Sequence, residues 1–372
     1  MAVEGQPSFS VPPPLGLADP TAQPVYSGYS GFIIYEANIQ GGISKYTLRA
    51  ESCTLKGQQD IETIKDIDGS VDNSRFALKP FMAQGDVVFA LDAAPESMGY
   101  ECFSRLYSDT VERSNDGRLK TREVPGSRNM LIRYNSELSY RFLDLAVQKM
   151  VIDCSAEQPL KITTSFMARG REGPFGGTAA QVGNGLEETA PGSGAINTAP
   201  VRVVTYNDVS IDVESSPLSG SGIVVNTPPN ITRLPLVKSF QVTLDNQLQA
   251  VHTLSGTLAA YDLVASKRII TGSIGFYGRN RDIADYALFN EIGQTSRCNL
   301  SFNVRFGNVT KTLFKLRGVV FKLEQMDLRN ETLESTMEFM AFGDQNFQYE
   351  AISALESPNL NANGVKHPYP FV

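Results

Sequence analysis

The sequence predicts a mainly β protein with one helix per repeat, an α+β chain made of two tandem sandwich- or barrel-like domains. Three observations lead there. Glycine (31), proline (20) and phenylalanine (20) are plentiful beside many β-branched residues, which favours strands joined by turns. The pentapeptide Phe-Met-Ala-x-Gly occurs in "SFMARG" (165–170) and again in "EFMAFG" (338–343). The surroundings of the two copies also match, in the same order along the chain.

Composition narrows the functional classes. The net charge of −7 argues against a protein that grips nucleic acid, because phosphate contacts need clustered Lys and Arg. No apolar run approaches the ~18 residues of a membrane span. The first basic residue is Lys45, so no cationic leader region is expected. Cys53, Cys102, Cys154 and Cys298 lie far apart without CxxC or CxxH spacing and read as buried thiols.

Residues 1–43 read as an N-terminal Pro-rich arm, since Pro12, Pro13 and Pro14 favour polyproline II and cannot join a strand ladder. Its end, "YSGYSGFIIYEANIQGG", holds a short apolar run at Phe32–Tyr35 with little core of its own. From 44 to 170 the first domain alternates strand-like runs: "KYTLRAESCTLKG", "GDVVFALDA", "NMLIRY", "SYRFLDLAVQKMVIDC" and "LKITTSFMARG". Between the second and third, Gly99, Cys102, Phe103 and Leu106 are spaced i, i+3, i+4 and i+7, one face of a helix.

Residues 171–200 are rich in Gly, Ala and Pro and read as a linker or loop. Their glycines match neither a Walker loop nor a dinucleotide fingerprint. The second domain, 201–349, repeats the strand texture in "VRVVTYNDVSIDVE", "KSFQVTLDNQ", "KRIITGSIGFYG", "CNLSFNVRFG" and "KTLFKLRGVVFKLEQMDL". It carries one helix-like insert, "NRDIADYALFNEIG", with Asn280 at the N-cap. Residues 350–372 form a polar C-terminal tail.

Overlaid, Gly85, Val87 and Phe89 match Gly272, Ile274 and Phe276 at an offset of 187. Tyr100, Phe103 and Leu106 match Tyr286, Phe289 and Ile292 at 186. "AVQKM" (146–150) matches "VVFKL" (319–323) at 173, and that register runs without a gap to Phe166 and Phe339. The repeat core is therefore expected to comprise Phe89, Tyr100, Phe103, Leu106 and Phe166 in the first copy. Phe276, Tyr286, Phe289, Ile292 and Phe339 are the counterparts in the second. Gly170 and Gly343 are expected to turn the chain at strand ends.

No catalytic constellation accompanies this repeat. His252 and His367 are the two histidines, and neither stands with a Gly-x-Ser-x-Gly elbow. The acidic pairs Asp66/Asp68 and Glu187/Glu188 read as solvated loops. No enzyme activity, catalytic residue, cofactor or metal site is expected.

The second copy resembles the tail tube domain of long-tailed bacteriophages. The likeness lies in "VKSFQVTLDNQLQ" (237–249), "RIITGSIGFYGRNRDIADYALFNE" (268–291) and "LFKLRGVVFKLEQ…ESTMEFMAFG". The resemblance implies a structural virion protein of the tail, assembled in the host cytoplasm, in which one sheet joins neighbours in a ring. Its partners would be itself, other tail proteins, and viral DNA passing through the lumen without sequence-specific binding; no membrane is involved. Two tandem domains per chain would close a pseudo-sixfold ring from three subunits. Four lumen strands per domain would give a bore of roughly 40 Å at ~4.8 Å strand spacing and ~45° tilt. The alternatives are a tail hub or tube initiator with two tube domains, and a β-sandwich binding or decoration module.

Overall fold

The computed structural model describes residues 32–39, 42–48, 50–59, 61–64, 75–94, 100, 103, 106, 129–133, 139–175, 202–215, 231–254, 259–265, 268–278, 298–322, 325–329, 332–342 and 355–356. The first half of the chain contributes ten strands: β1 (Phe32–Ile39), β2 (Gly42–Leu48), β3 (Ser52–Cys53), β4 (Lys56–Gln58), β5 (Ile61–Ile64), β6 (Arg75–Leu78), β7 (Met82–Ala90), β8 (Asn129–Arg133), β9 (Ser139–Ser155) and β10 (Lys161–Phe175). The second contributes β11 (Val209–Ser215), β12 (Ile231–Arg233), β13 (Val237–Asp245), β14 (Leu248–Val251), β15 (Asp262–Ala265), β16 (Ile269–Tyr277), β17 (Cys298–Phe306), β18 (Val309–Phe321), β19 (Gln325–Arg329), β20 (Thr332–Ala341) and β21 (Leu355–Glu356).

The fold is mostly strand, in one large antiparallel sheet with two small hairpins, β5–β6 and β14–β15. In the first half the ladder runs β2–β1–β8–β9–β10–β7, and β3 and β4 pair with β7. In the second it runs β12–β11–β17–β18–β20–β16–β13. The halves then join, because β13 also pairs with the C-terminal part of β9, from Ser239↔Ser155 to Asp245↔Lys149. Alternation explains why this join is firm. Phe240, Val242 and Leu244 lie opposite Cys154, Ile152 and Met150, and all six are buried.

Two separate sandwiches were expected; the described residues instead form one continuous ladder with one main hydrophobic cluster running through both halves. Helix is nearly absent from the described residues. Tyr100, Phe103 and Leu106 are helical and at most 1% exposed, and the Tyr100 ring meets Phe306 of the second half edge-on at 5.2 Å. Tyr286, Phe289 and Ile292 lie outside the described residues, so a helix in each half is not among the observations.

Three local expectations differ from what is observed. Gly170 does not turn the chain: β10 continues to Phe175, with Gly170 opposite Leu143. The 17-residue β9 supplies ladder partners that far along, so the strand has no reason to stop. β1 and β2 begin inside the stretch read as an arm, because β8 offers the apolar run at 32–35 an edge to pair with. The gapless 173 register also fails. Val147 lies opposite Phe166 and Phe321 opposite Phe339, which sets β9 against β18 at 174. Asp153 and Asp327 keep the 174 offset whereas Lys161 and Glu334 stand at 173, so the one-residue difference falls between the end of β9 and the start of β10, where the apolar pattern does not mark it.

Candidate assembly surface

The site-bearing geometry begins with the twice-written Phe-Met-Ala. Phe166 pairs across the ladder with Gly85, and Phe339 pairs with Gly272. Both rings are 1% exposed. A methyl on Gly85 would lie 2.5 Å from the Thr54 carbonyl oxygen, and one on Gly272 would lie 2.5 Å from that of Gln241. Glycine lets the neighbouring strand close in, while the opposite phenylalanine fills the space that the missing side chain leaves.

Other contacts recur at matching places. Asp144 and Gly318 both have positive φ, 50° and 61°. The Asp144 backbone N–H donates to Asn129 Oδ1 at 3.3 Å, and that of Gly318 donates to Asn299 Oδ1 at 3.2 Å. Arg141 pairs with the buried Glu36 at 3.0 Å, as Lys315 pairs with Glu214. Lys161 pairs with Glu51 at 2.9 Å, and Lys238 with Glu334 at 2.5 Å with the charges exchanged. The β5–β6 and β14–β15 hairpins have the same lengths and register, 187 residues apart.

Of the expected core, Phe89, Tyr100, Phe103, Leu106, Phe166, Phe276 and Phe339 are buried. A polar recess of about 360 Å³ lies between Asp208, Asp212, Arg233 and Asn303. Its groups bond one another: Asn303 donates to Asp212 at 2.8 Å and accepts from Thr312 at 2.7 Å. Cys154 and Cys298 are buried; burial pushes the Cys154 thiol up to about 12 and raises that of Cys298 as well. Cys53 is half-buried and its thiol is raised by the same cause, only partly offset by a backbone hydrogen bond from Leu55.

Asp208 anchors the wall of that recess. Burial alone would raise its pKa, but the Thr205 N–H and hydroxyl and the Arg202 guanidinium outweigh burial and lower it. A lowered carboxyl stabilises the fold above the ordinary range near pH ~4, and that contribution disappears as pH falls through the folded value. Asp208→Asn should therefore cost about 1–3 kcal/mol at pH 7, with the gap from the parent closing towards pH 3, in urea titrations at several pH values. An unchanged gap at low pH would show that charge is not what holds the turn.

Exposed apolar groups remain at sheet edges and at the open end of the β5–β6 hairpin. Ile61 on β5 is 63% exposed, Leu78 on β6 46%, and Phe342 just beyond β20 50%. Among the described residues, β3 and β4 pair with β7 alone and β19 with β20 alone. Open edges and bare apolar groups are the features that a sheet offers to further protein.

The chain matches the phage tail tube protein family over residues 6–351, nearly its whole length. It belongs to the phage tail tube protein family. No curated protein matches it at a significant level. Tail tube membership makes this a structural protein of the virion tail, which associates with itself and with other tail proteins, and the family is not one of enzymes. No described helix is long and apolar enough to cross a membrane.

The paired contacts were largely beyond sequence comparison. The Gly85/Gly272 and Phe166/Phe339 matches carried a signal, whereas Asn129, Asn299, Glu36 and Glu214 fall at other offsets and gain meaning from partners far along the chain.

Proposed function

We propose that this tail tube protein is a tandem duplication of one tube domain and that it assembles into stacked rings enclosing the DNA conduit of the tail. The observation that carries the duplication is the recurrence of one hydrogen bond, Asp144 to Asn129 and Gly318 to Asn299, at positions that both have positive φ. Coincidence does not readily supply that bond together with two ion pairs and a glycine–phenylalanine cross-strand pair. The units correspond to residues 44–170 and 201–349, with β1 and β2 added to the first; each carries one helix, the second spanning Tyr286, Phe289 and Ile292. Three chains then make a pseudo-sixfold ring, and DNA passes through its lumen during ejection. An acidic protein suits such a passage, since a wall poor in Lys and Arg does not trap phosphates.

Electron microscopy of the purified protein over a concentration series tests this reading. Rings or hollow tubes with three chains per ring are the expected result. Trimers that never stack would favour the hub or initiator. Monomers at every concentration, and in assembled particles, would refute self-assembly and favour the binding module.

A further inference from the structure

The join between β9 and β13 is a contact between one repeat and the other, and each repeat has the same parts. The first repeat therefore owns a copy of β13's role, and the second owns a copy of β9's. Ladder positions identify both. β3 and β4 pair with β7 as β13 pairs with β16, 187 residues on: Cys53↔Val87 corresponds to Phe240↔Ile274. β19 pairs with β20 as the end of β9 pairs with β10: Asp327↔Glu334 corresponds to Asp153↔Lys161. Within the chain β9 and β13 satisfy each other. Among the described residues, β19 and β3–β4 have no such partner on their outer edges.

We propose that the outer edge of β19 pairs antiparallel with the β3–β4 edge of a second copy of this chain, repeating the internal join between subunits. This rests on the self-assembly reading above and adds to it the strands and their register. Carrying Ser239↔Ser155 across places Ser52 opposite Arg329, and the same register puts Cys53 opposite Leu328, Thr54 opposite Asp327 and Leu55 opposite Met326. The pattern suits the role. In the sequence Leu328 and Met326 alternate with Asp327 as the buried Cys154 and Ile152 alternate with Asp153, so the register sets apolar residues opposite Cys53 and Leu55.

The hairpins give an independent line of support. β14–β15 lies on the face of the first repeat, where Leu263 is buried with Ala146 and Met167 and where Leu248 also packs. Arg169 donates to the Ala260 carbonyl at 3.0 Å beside them. The counterpart of Leu248 is Ile61, which in the single chain is 63% exposed. The counterparts of Ala146, Met167 and Arg169 are Val320, Met340 and the half-exposed Phe342. Ala146 and Met167 are buried where the internal join exists, whereas Val320 and Met340 are only partly buried and Ile61 and Phe342 are exposed where it is missing. A second chain seated in the proposed register lays its β5–β6 hairpin on Val320, Met340 and Phe342. One donor edge and one acceptor edge per chain make a heterologous contact, the kind that closes rings.

Disulfide trapping tests the register. Paired strands hold opposed Cα atoms about 4.5–5.5 Å apart, within disulfide reach. Thr54→Cys/Asp327→Cys should, on oxidation of the assembled protein, give a ladder of dimers and closed trimers on a non-reducing gel. Either single substitution alone should stay monomeric there. Mixing the two singly substituted chains before assembly should give dimers only, which shows that the link is between chains. Leu328→Cys, opposite the native Cys53, gives a second readout that a Cys53→Ser change should abolish. Rings or tubes in the microscope without a ladder from either variant would overturn the proposed pairing and leave the ring reading standing. Failure of the unsubstituted protein to assemble would overturn the ring reading, and the pairing with it.

Discussion

Phe339→Ala is expected to lower the free energy of unfolding by about 3–5 kcal/mol, with Phe166→Ala close behind. Phe339 is 1% exposed, meets Phe321 edge-on at 5.9 Å, and covers Gly272 on the neighbouring strand. Because its cross-strand partner is a glycine, no side chain there can swing in to fill the space, and the cavity stays close to the size of the lost ring. Phe166 is in the same position over Gly85, with Tyr35 at 6.4 Å, tilted. Urea unfolding followed by circular dichroism would measure both. A loss under ~1 kcal/mol for either variant would show that the surrounding strands can collapse, against the close-packed picture.

Gly272→Ala should be the next most damaging change after these two. The added methyl would sit 2.3 Å from Phe339 Cζ and 2.5 Å from the Gln241 carbonyl oxygen. The ring can rotate away, but the carbonyl belongs to β13, held between β16 and β9 on both edges. Overpacking of that kind costs about 1–3 kcal/mol, and the fixed backbone puts this case at the upper end. Gly85→Ala meets the Thr54 oxygen and the Leu55 Cα, both at 2.5 Å, in the segment between β3 and β4, strands that among the described residues pair with β7 alone. An edge strand can yield, so Gly85→Ala should be milder in the isolated chain. Comparing the two midpoints checks this directly; equal losses would mean that the β3–β4 edge is as rigid as the interior.

The strand-rich character and the Phe-Met-Ala echo were legible because short-range alternation and rare aromatic residues leave marks in the sequence. So was the Gly85/Gly272 match, since a close backbone approach restricts the residue type to glycine. The ion pairs were not legible. Lys161–Glu51 and Lys238–Glu334 perform one task with opposite placement of charge, which a comparison of residue identities scores as a mismatch. The hairpins share little sequence because much of their surface is exposed, and exposure relaxes the choice of side chain. Asp144 and Gly318 hide in the same way: the position needs positive φ and an Asn side chain to accept from its N–H, and Asp and Gly both tolerate that conformation. The union of both halves in one sheet depends on β9 meeting β13 although Ser155 and Ser239 are 84 positions apart, too remote for any local pattern to announce.

That union also governs when the protein's joints can form. Two segments on one chain meet at an effective concentration set by their tether, often in the millimolar range, whatever the amount of protein in solution. The β9–β13 joint is therefore made each time a chain folds, at any dilution. A joint between separate chains depends on their number per volume. In the ring proposed above only the joints between chains would carry a concentration threshold, so its onset would be decided by the contacts that cross from one molecule to the next.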